Sequence, residues 1–201
     1  EMCIRDRRTA SSFISPEQAA INFNREVADA DVQLISGKAR EQWNNYLGRV
    51  EAEGGTDEQL RTFYSCLYRT LLFPREFYEF DSQGNPVYYS PYDGNVHDGY
   101  MYTDNGFWDT FRAVHPLFTL LYPEVSERVT QSIINAYNES GFMPEWASPG
   151  HRGCMIGNNS VSLLVDAWMK GIQTVDAEKA LEAMIHQTQA RHAEIASVGR
   201  D

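Results

Sequence analysis

The chain has 201 residues, room for one domain or parts of two, and a formal net charge of −11 from 28 acidic against 17 basic residues. That balance excludes a nucleic-acid partner, whose phosphates need a cationic footprint, and docking on anionic lipid. A hydrophobic share of 42% with 12% aromatic residues excludes a disordered chain, and no apolar run reaches the roughly 18 residues of a membrane-spanning helix.

Glu1–Arg7 has no periodicity and resembles translated adapter sequence; residues 1–7 are expected to be non-native. Arg8–Ser15 has β-type residues and is expected to be the last strand of a preceding domain. Ser15, Pro16 and Glu17 then open a helix as N-cap, first residue and first-turn acid. Phe23, Val27 and Ala30 continue it at helical spacing. A second helix is expected over Lys38–Val50, with Trp43, Tyr46, Leu47 and Val50 on one face and Gly54–Gly55 beyond it. Thr56 and Gln59 form a capping box. The helix behind it carries Leu60, Phe63, Tyr64, Leu67 and Leu71 as an apolar stripe and runs to about Phe73, where Pro74 stops it. Cys66 reads as a small packed residue of that helix. Together with Cys3 and Cys154 it makes an odd, widely spaced set that supplies no disulfide framework.

Glu76–Tyr102 is rich in turn signals (Asp81, Gly84, Asn85–Pro86, Asp93–Gly94) with short extended pieces between them, and a connection this long in a domain is usually functional. The next helix, capped by Thr103, Asp104 or Asn105, presents Phe107, Phe111, Val114, Phe118 and Leu121 on one face, and Pro116 kinks or restarts it. Pro123–Glu124 begins another helix, which Gly141 ends. A loop rich in Pro, Gly and polar groups spans Gly141–Gly157. Helices over Asn159–Lys170 and Asp176–Ala193 complete a set of about seven. Helical pairs without a fixed repeat favour a closed helical barrel over a solenoid.

Two stretches concentrate the groups that bind sugars: planar apolar rings, carboxylates and bidentate donors. Thr103–Pro116 holds Trp108, Asp109, Arg112 and His115. Gly141–Asn159 holds Glu145, Trp146, His151, Arg152, Cys154, Met155, Asn158 and Asn159. Trp108 and Trp146 offer stacking faces. Asp109 can accept from adjacent hydroxyls and Arg112 can orient it or bind a hydroxyl itself. An Asp–Arg pair three residues apart is equally the pattern of a surface ion pair. No histidine lies at zinc-motif spacing, so no metal ligands are identifiable, and no nucleotide-binding or serine-nucleophile motif is present. Composition and spacing point to a carbohydrate or small polar ligand and name no reaction.

The strings FYSCLYRTLLFP (63–74), GFWDTFRAVHPL (106–117) and GFMPEWASPGHRGCMIGNNSVSLLVDAWMKGI (141–172) resemble segments of glycoside hydrolase family 92. The resemblance spans roughly residues 8–195. It implies a calcium-dependent, inverting exo-α-mannosidase built as an N-terminal β-sandwich followed by an (α/α)6 toroid. Residues 8–36 are then the end of the N-terminal domain and a linker helix, and residues 37–201 the first half of a truncated toroid, so the fold class is mainly α. Trp108, Asp109 and Arg112 match the block associated with gripping the terminal mannose. Glu145, Trp146, Cys154 and Met155 match a block along the same pocket, and Asn158 and Asn159 follow it. The family's general acid lies in an EGN-type motif and its base in a GNDD-type motif. Neither occurs here, so no catalytic residue is expected in this chain, and the calcium ligands are expected mostly in the same missing segments. The implied partner is a mannose-containing glycan, and the implied location is periplasmic, secreted or on the bacterial cell surface.

Two alternatives stand beside this reading: another (α/α)6 glycosidase of trehalase or glucosidase type, and a non-catalytic glycan-binding helical module. The first expectation has a direct test. The 201-residue polypeptide expressed alone should release no mannose and should aggregate, because helix faces without partners expose apolar patches. Calcium-stimulated mannose release by this polypeptide would contradict it.

Overall fold

The computed structural model describes residues 7–28, 30–193 and 195. About half of the chain is helical, with short strands confined to the connections. The helices are α1 (Pro16–Glu26), α2 (Val32–Leu47), α3 (Asp57–Thr70), α4 (Phe107–Thr110), α5 (Val114–Leu121), α6 (Pro123–Ser140), α7 (Asn159–Met169) and α8 (Ala177–Gln189). The strands are β1 (Arg75–Glu76), β2 (Glu79–Phe80), β3 (Pro86–Tyr89), β4 (Val96–Asp98), β5 (Tyr102–Thr103), β6 (Asn105–Gly106) and β7 (Trp146–Ala147). They form three small antiparallel sheets, β1–β5, β2–β3–β4 and β6–β7.

Helix α6 is the axis of the packing. Pro123 starts it, Gly141 ends it in the left-handed region at φ +83°, and Val129, Ile133, Ile134, Ala136 and Tyr137 are buried along it. Its apolar stripe meets Tyr102 and Phe107 from the connections, Leu163 and Leu164 from α7, and Ala180 and Ala183 from α8. Full burial of one such aliphatic side chain contributes about 1.5–3 kcal/mol, so this cluster carries much of the fold's cohesion. The first two helices attach differently. On α1, Gln18 donates to the Phe80 carbonyl at 2.7 Å and Asn22 to a Glu79 carboxylate oxygen at 2.6 Å. Helix α2 buries none of its residues. The segment after it is held by Arg49, which donates to Glu124 at 2.6 Å and to the Leu121 carbonyl at 2.6 Å.

Several expectations change. Residues 8–15 pair with no strand; the Ser12 hydroxyl and Phe13 amide instead donate to Glu79 at 2.9 and 2.8 Å. Helix α2 begins at Val32 because Asp31 caps it, accepting from Leu34 at 2.7 Å, so the expected domain boundary at 36/37 falls inside a continuous helix. Helix α3 stops at Thr70, short of Phe73, and Cys66 on it is exposed, not packed. The expected single helix from residue 103 is two: α4 is one turn, capped by Gly106 without a side-chain bond, and the chain turns before α5, ahead of Pro116. Thr103, Asp104 and Asn105 go into strands and a turn in place of the cap. Helix α8 ends at Gln189. The adapter-like residues 1–6 lie outside the described residues, and Arg7 is exposed coil.

Gly141 gives a direct test of the α6 terminus. Alanine there must adopt the left-handed conformation, and Gly141→Ala should lower unfolding free energy by roughly 1 kcal/mol, measured as a shift of the denaturant midpoint in the intact protein. An unchanged midpoint would show that this turn is not held.

Candidate functional site

The two polar–aromatic stretches, about forty positions apart in the chain, meet as a backbone ladder. Strands β6 and β7 pair antiparallel, with Asn105 opposite Ala147 and Gly106 opposite Trp146. The Phe107 amide extends the ladder to the Glu145 carbonyl at 3.3 Å. Gly106 has a physical reason to be glycine: a Cβ there would lie 2.5 Å from Cζ3 of Trp146 and 2.7 Å from Oδ2 of Asp109. The indole ring and the carboxylate therefore share the space over one bare backbone unit.

Around this point the groups fall into three sets. Trp108, 43% exposed, Asp109 and Arg112 are all open to solvent on and just after the single turn of α4. Trp146 is half-buried beside them. Arg112 does not pair with Asp109 among the described ion pairs; its guanidinium lies 5.0 Å from the centre of the Phe111 ring. Asp109 is thus a carboxylate with free acceptor capacity that shares the space over Gly106 with the Trp146 indole, a combination suited to hydroxyl pairs on a sugar ring.

The second set is buried and holds the first. His115 at the start of α5 is buried, and burial pushes its pKa down to about 3, so it is neutral at physiological pH. The Asn105 side-chain amide faces its Nε2 at 3.1 Å, and the Thr110 hydroxyl donates to the Asn105 amide oxygen at 3.1 Å and to the Gly106 carbonyl at 3.0 Å. With Nε2 as the acceptor, one asparagine ties β6, α4 and α5 together. Asp104, at φ +55°, accepts from Ser148 at 2.7 Å and forms an ion pair with Arg75, while Thr103 donates to the Pro149 carbonyl at 3.1 Å. From the residues alone, 103–105 read as helix caps at the start of the Thr103–Pro116 stretch. The usable signal was the Asp–Asn–Gly run, since Asp and Asn tolerate left-handed backbone.

The third set is the rest of the expected ligands, and they do not gather at the Asp109–Trp146 contact. Glu145 is 1% exposed and neither carboxylate oxygen has a hydrogen-bond partner. Side chains alternate along an extended segment, so placing Trp146 outward turns Glu145 inward, away from any sugar at the Trp108–Asp109 face. Asn158 and Asn159 each bond locally: Asn158 accepts from Ser160 at 2.9 Å, and Asn159 donates to the Ile156 carbonyl at 2.9 Å. Cys154 and Met155 are exposed, with Met155 at φ +75°. His151 bonds Ser140 at 2.8 Å, and burial followed by the neighbouring His192 depresses its pKa to about 4. Arg152 closes the loop by donating from its backbone to the Trp146 carbonyl at 3.0 Å and from Nε to the Ser148 carbonyl at 2.6 Å.

One metal-competent group exists among the described residues: Asp93, His97 and Glu139, whose ligand atoms lie within 4.8 Å of one another. Sequence spacing could not find it, because Glu139 is on α6 and the other two are around a hairpin. Its imidazole and three-donor count do not fit calcium, which takes six to eight oxygen ligands. The calcium implied by resemblance is therefore not assigned to Asp93, His97 and Glu139.

A mainly helical chain whose connections bring an indole and a free carboxylate together, with a second indole exposed on the same turn as the carboxylate, has the build of a helical glycoside hydrolase domain. The chain belongs to glycosyl hydrolase family 92, matching that family's catalytic domain over residues 18–200. It resembles the solved structure of a family 92 α-mannosidase from Bacteroides thetaiotaomicron in complex with mannoimidazole. The TM-score is 0.80 and the identity 28%, over 90% of this chain and 24% of that one. A second solved family 92 glycosyl hydrolase gives a TM-score of 0.69 and 25% identity, over 90% and 25% of the two chains. An uncharacterized secreted glycosidase of Arthroderma benhamiae is 22% identical over 96% of this chain and 21% of its own length. The chain thus spans about a quarter or less of the relatives it matches. Membership in family 92 sets aside the trehalase- or glucosidase-type alternative.

The close approach over Gly106 generates a prediction. Gly106→Ala should cost about 1–3 kcal/mol of stability, because the new methyl must displace the Trp146 ring or the Asp109 carboxylate. Chemical denaturation of the intact protein measures this; an unaltered midpoint would mean the ring yields freely.

Proposed function

We propose that this chain is the first part of the catalytic domain of an inverting exo-α-mannosidase that removes terminal α-linked mannose from glycans. The observation that supports the reading is the β6–β7 ladder, which brings the Trp146 ring and the Asp109 carboxylate together over Gly106, with Trp108 and Arg112 exposed on and just after the same helical turn. In this proposal the two indoles cover the apolar face of the terminal sugar. Asp109 accepts hydrogen bonds from two neighbouring hydroxyls, and Arg112 stands one turn away as a donor. His115, Asn105 and Thr110 hold that face without touching the sugar. The likeness to a solved α-mannosidase supports the choice of sugar.

Inversion needs an acid and a base on opposite sides of the bond with room for a water between them. We assign both, and the ligands of a calcium cofactor, to segments of the parent enzyme outside this chain, in accord with the lack of EGN and GNDD motifs in its sequence. When bound, calcium would supply charge to the sugar hydroxyls. On the same reading residues 37–201 belong to the first half of an (α/α)6 toroid, and residues 8–36, which include the first turn of α2, lead in from a β-sandwich. The polypeptide by itself is then inactive. The parent is placed in the periplasm, at the bacterial surface or outside the cell. No helix of the described residues is long and apolar enough to cross a membrane, and one relative is described as secreted.

The test is Asp109→Ala in the full-length protein. Loss of a charge-assisted hydrogen bond worth about 1.5–3 kcal/mol should lower kcat/KM for α-mannoside hydrolysis by roughly 10- to 150-fold. The circular dichroism spectrum should not change. Wild-type kinetics in this variant would remove Asp109 from the sugar site.

A further inference from the structure

A second cluster lies away from the Trp108–Asp109 face, where the β3–β4 hairpin meets the last turn of α6. Three observations make it more than a group of surface charges. First, its donors are already oriented. The Asn95 amide donates to Oδ1 of Asp93 at 2.8 Å, which leaves Oδ2 facing Nε2 of His97 at 2.8 Å. Second, Glu139 is held from behind. The Ser90 hydroxyl donates to its Oε2 at 2.5 Å and the buried Tyr88 hydroxyl to its Oε1. Tyr88 is also the cross-strand partner of His97, with ring centroids 5.8 Å apart, so the strand register that places the imidazole also places the hydroxyl that fixes Glu139. Third, the donors border a cleft of about 310 Å3 whose further walls are Tyr88, Asp98, Asn135 and Asn138. The cleft sits at the C-terminal end of the long helix α6, where the unpaired carbonyls favour positive charge.

We propose that Asp93, His97 and Glu139 bind a first-row divalent cation, with zinc as the type, and that the ion clips the β3–β4 hairpin to α6. One imidazole and two carboxylates are a donor set for zinc or manganese more than for calcium or magnesium. Around a tetrahedral zinc with bonds of about 2.0–2.1 Å, neighbouring donors stand roughly 3.3 Å apart. The present spread of up to 4.8 Å closes to that value by side-chain rotation, with the His97–Asp93 contact opening slightly. Tyr88 and Ser90 serve as the outer partners that orient the metal-bound carboxylate. Cleft solvent fills the fourth position.

The experiment uses the full-length protein, stripped with chelator and returned to saturating calcium so that any calcium site stays filled. Equilibrium dialysis against zinc, read by elemental analysis, should show one more zinc per chain in the wild type than in His97→Ala, with affinity at that site reduced at least tenfold in Glu139→Gln. Zinc should raise the melting temperature of the wild type and leave that of His97→Ala unmoved. Both substitutions are in part-exposed positions, and circular dichroism verifies that each variant is folded. Equal zinc stoichiometry and affinity in the wild type and both variants would overturn the proposal, as would a wild type that binds no zinc. Neither result bears on the mannosidase reading, which is tested at Asp109.

Discussion

Everything at the candidate sugar face depends on one short antiparallel contact, the ladder between Asn105–Gly106 and Trp146–Ala147. It is only two residues long on each side, so its hydrogen bonds alone would not hold it. What makes it persist is packing that glycine permits. With no Cβ at position 106, the Trp146 ring and the Asp109 carboxylate settle directly over the backbone. Backbone pairing, an aromatic face and an acceptor are thereby joined at a single point, and the two halves of the site cannot move independently.

The polar network beneath that ladder explains how a single helical turn can carry exposed functional groups. Helix α4 has no side-chain cap and too few residues to be stable alone. Asn105, Thr110 and neutral His115 form a side-chain network that ties the turn to β6 and α5, with Thr110 also donating to the Gly106 carbonyl, while Phe107 and Phe118 pack against the imidazole. Burial keeps His115 uncharged, and an uncharged imidazole is the form that can accept from Asn105 at its Nε2. Glu145 presents the opposite case: a carboxylate inside the protein with no donor, on the inward side of the same short strand. The same alternation that presents Trp146 conceals Glu145.

Much of this was legible from residues alone. The Ser15 and Thr56 caps, the proline starts of α1 and α6 and the glycine stop after α6 set element ends through local chemistry, and each is present. The apolar stripe of α6 was readable because its period is helical and its burial nearly complete. Errors came where a distant contact overrode a local pattern. The α4–α5 break comes ahead of Pro116, the proline sequence reading would blame. The β-type residues of 8–15 form no ladder and turn their donors to Glu79, a residue more than sixty positions away.

The sequence by itself determined the class of fold, the family and the two segments that matter, because helix periodicity, caps and motif strings are local properties carried in consecutive residues. Only the tertiary structure decided which side chains of those segments face outward together. That depends on strand register, and a shift of one residue would exchange Trp146 for Glu145. It likewise decided that Glu139 stands across from Asp93 and His97, since the helix and the hairpin that bring them together are linked by packing and not by proximity in the chain.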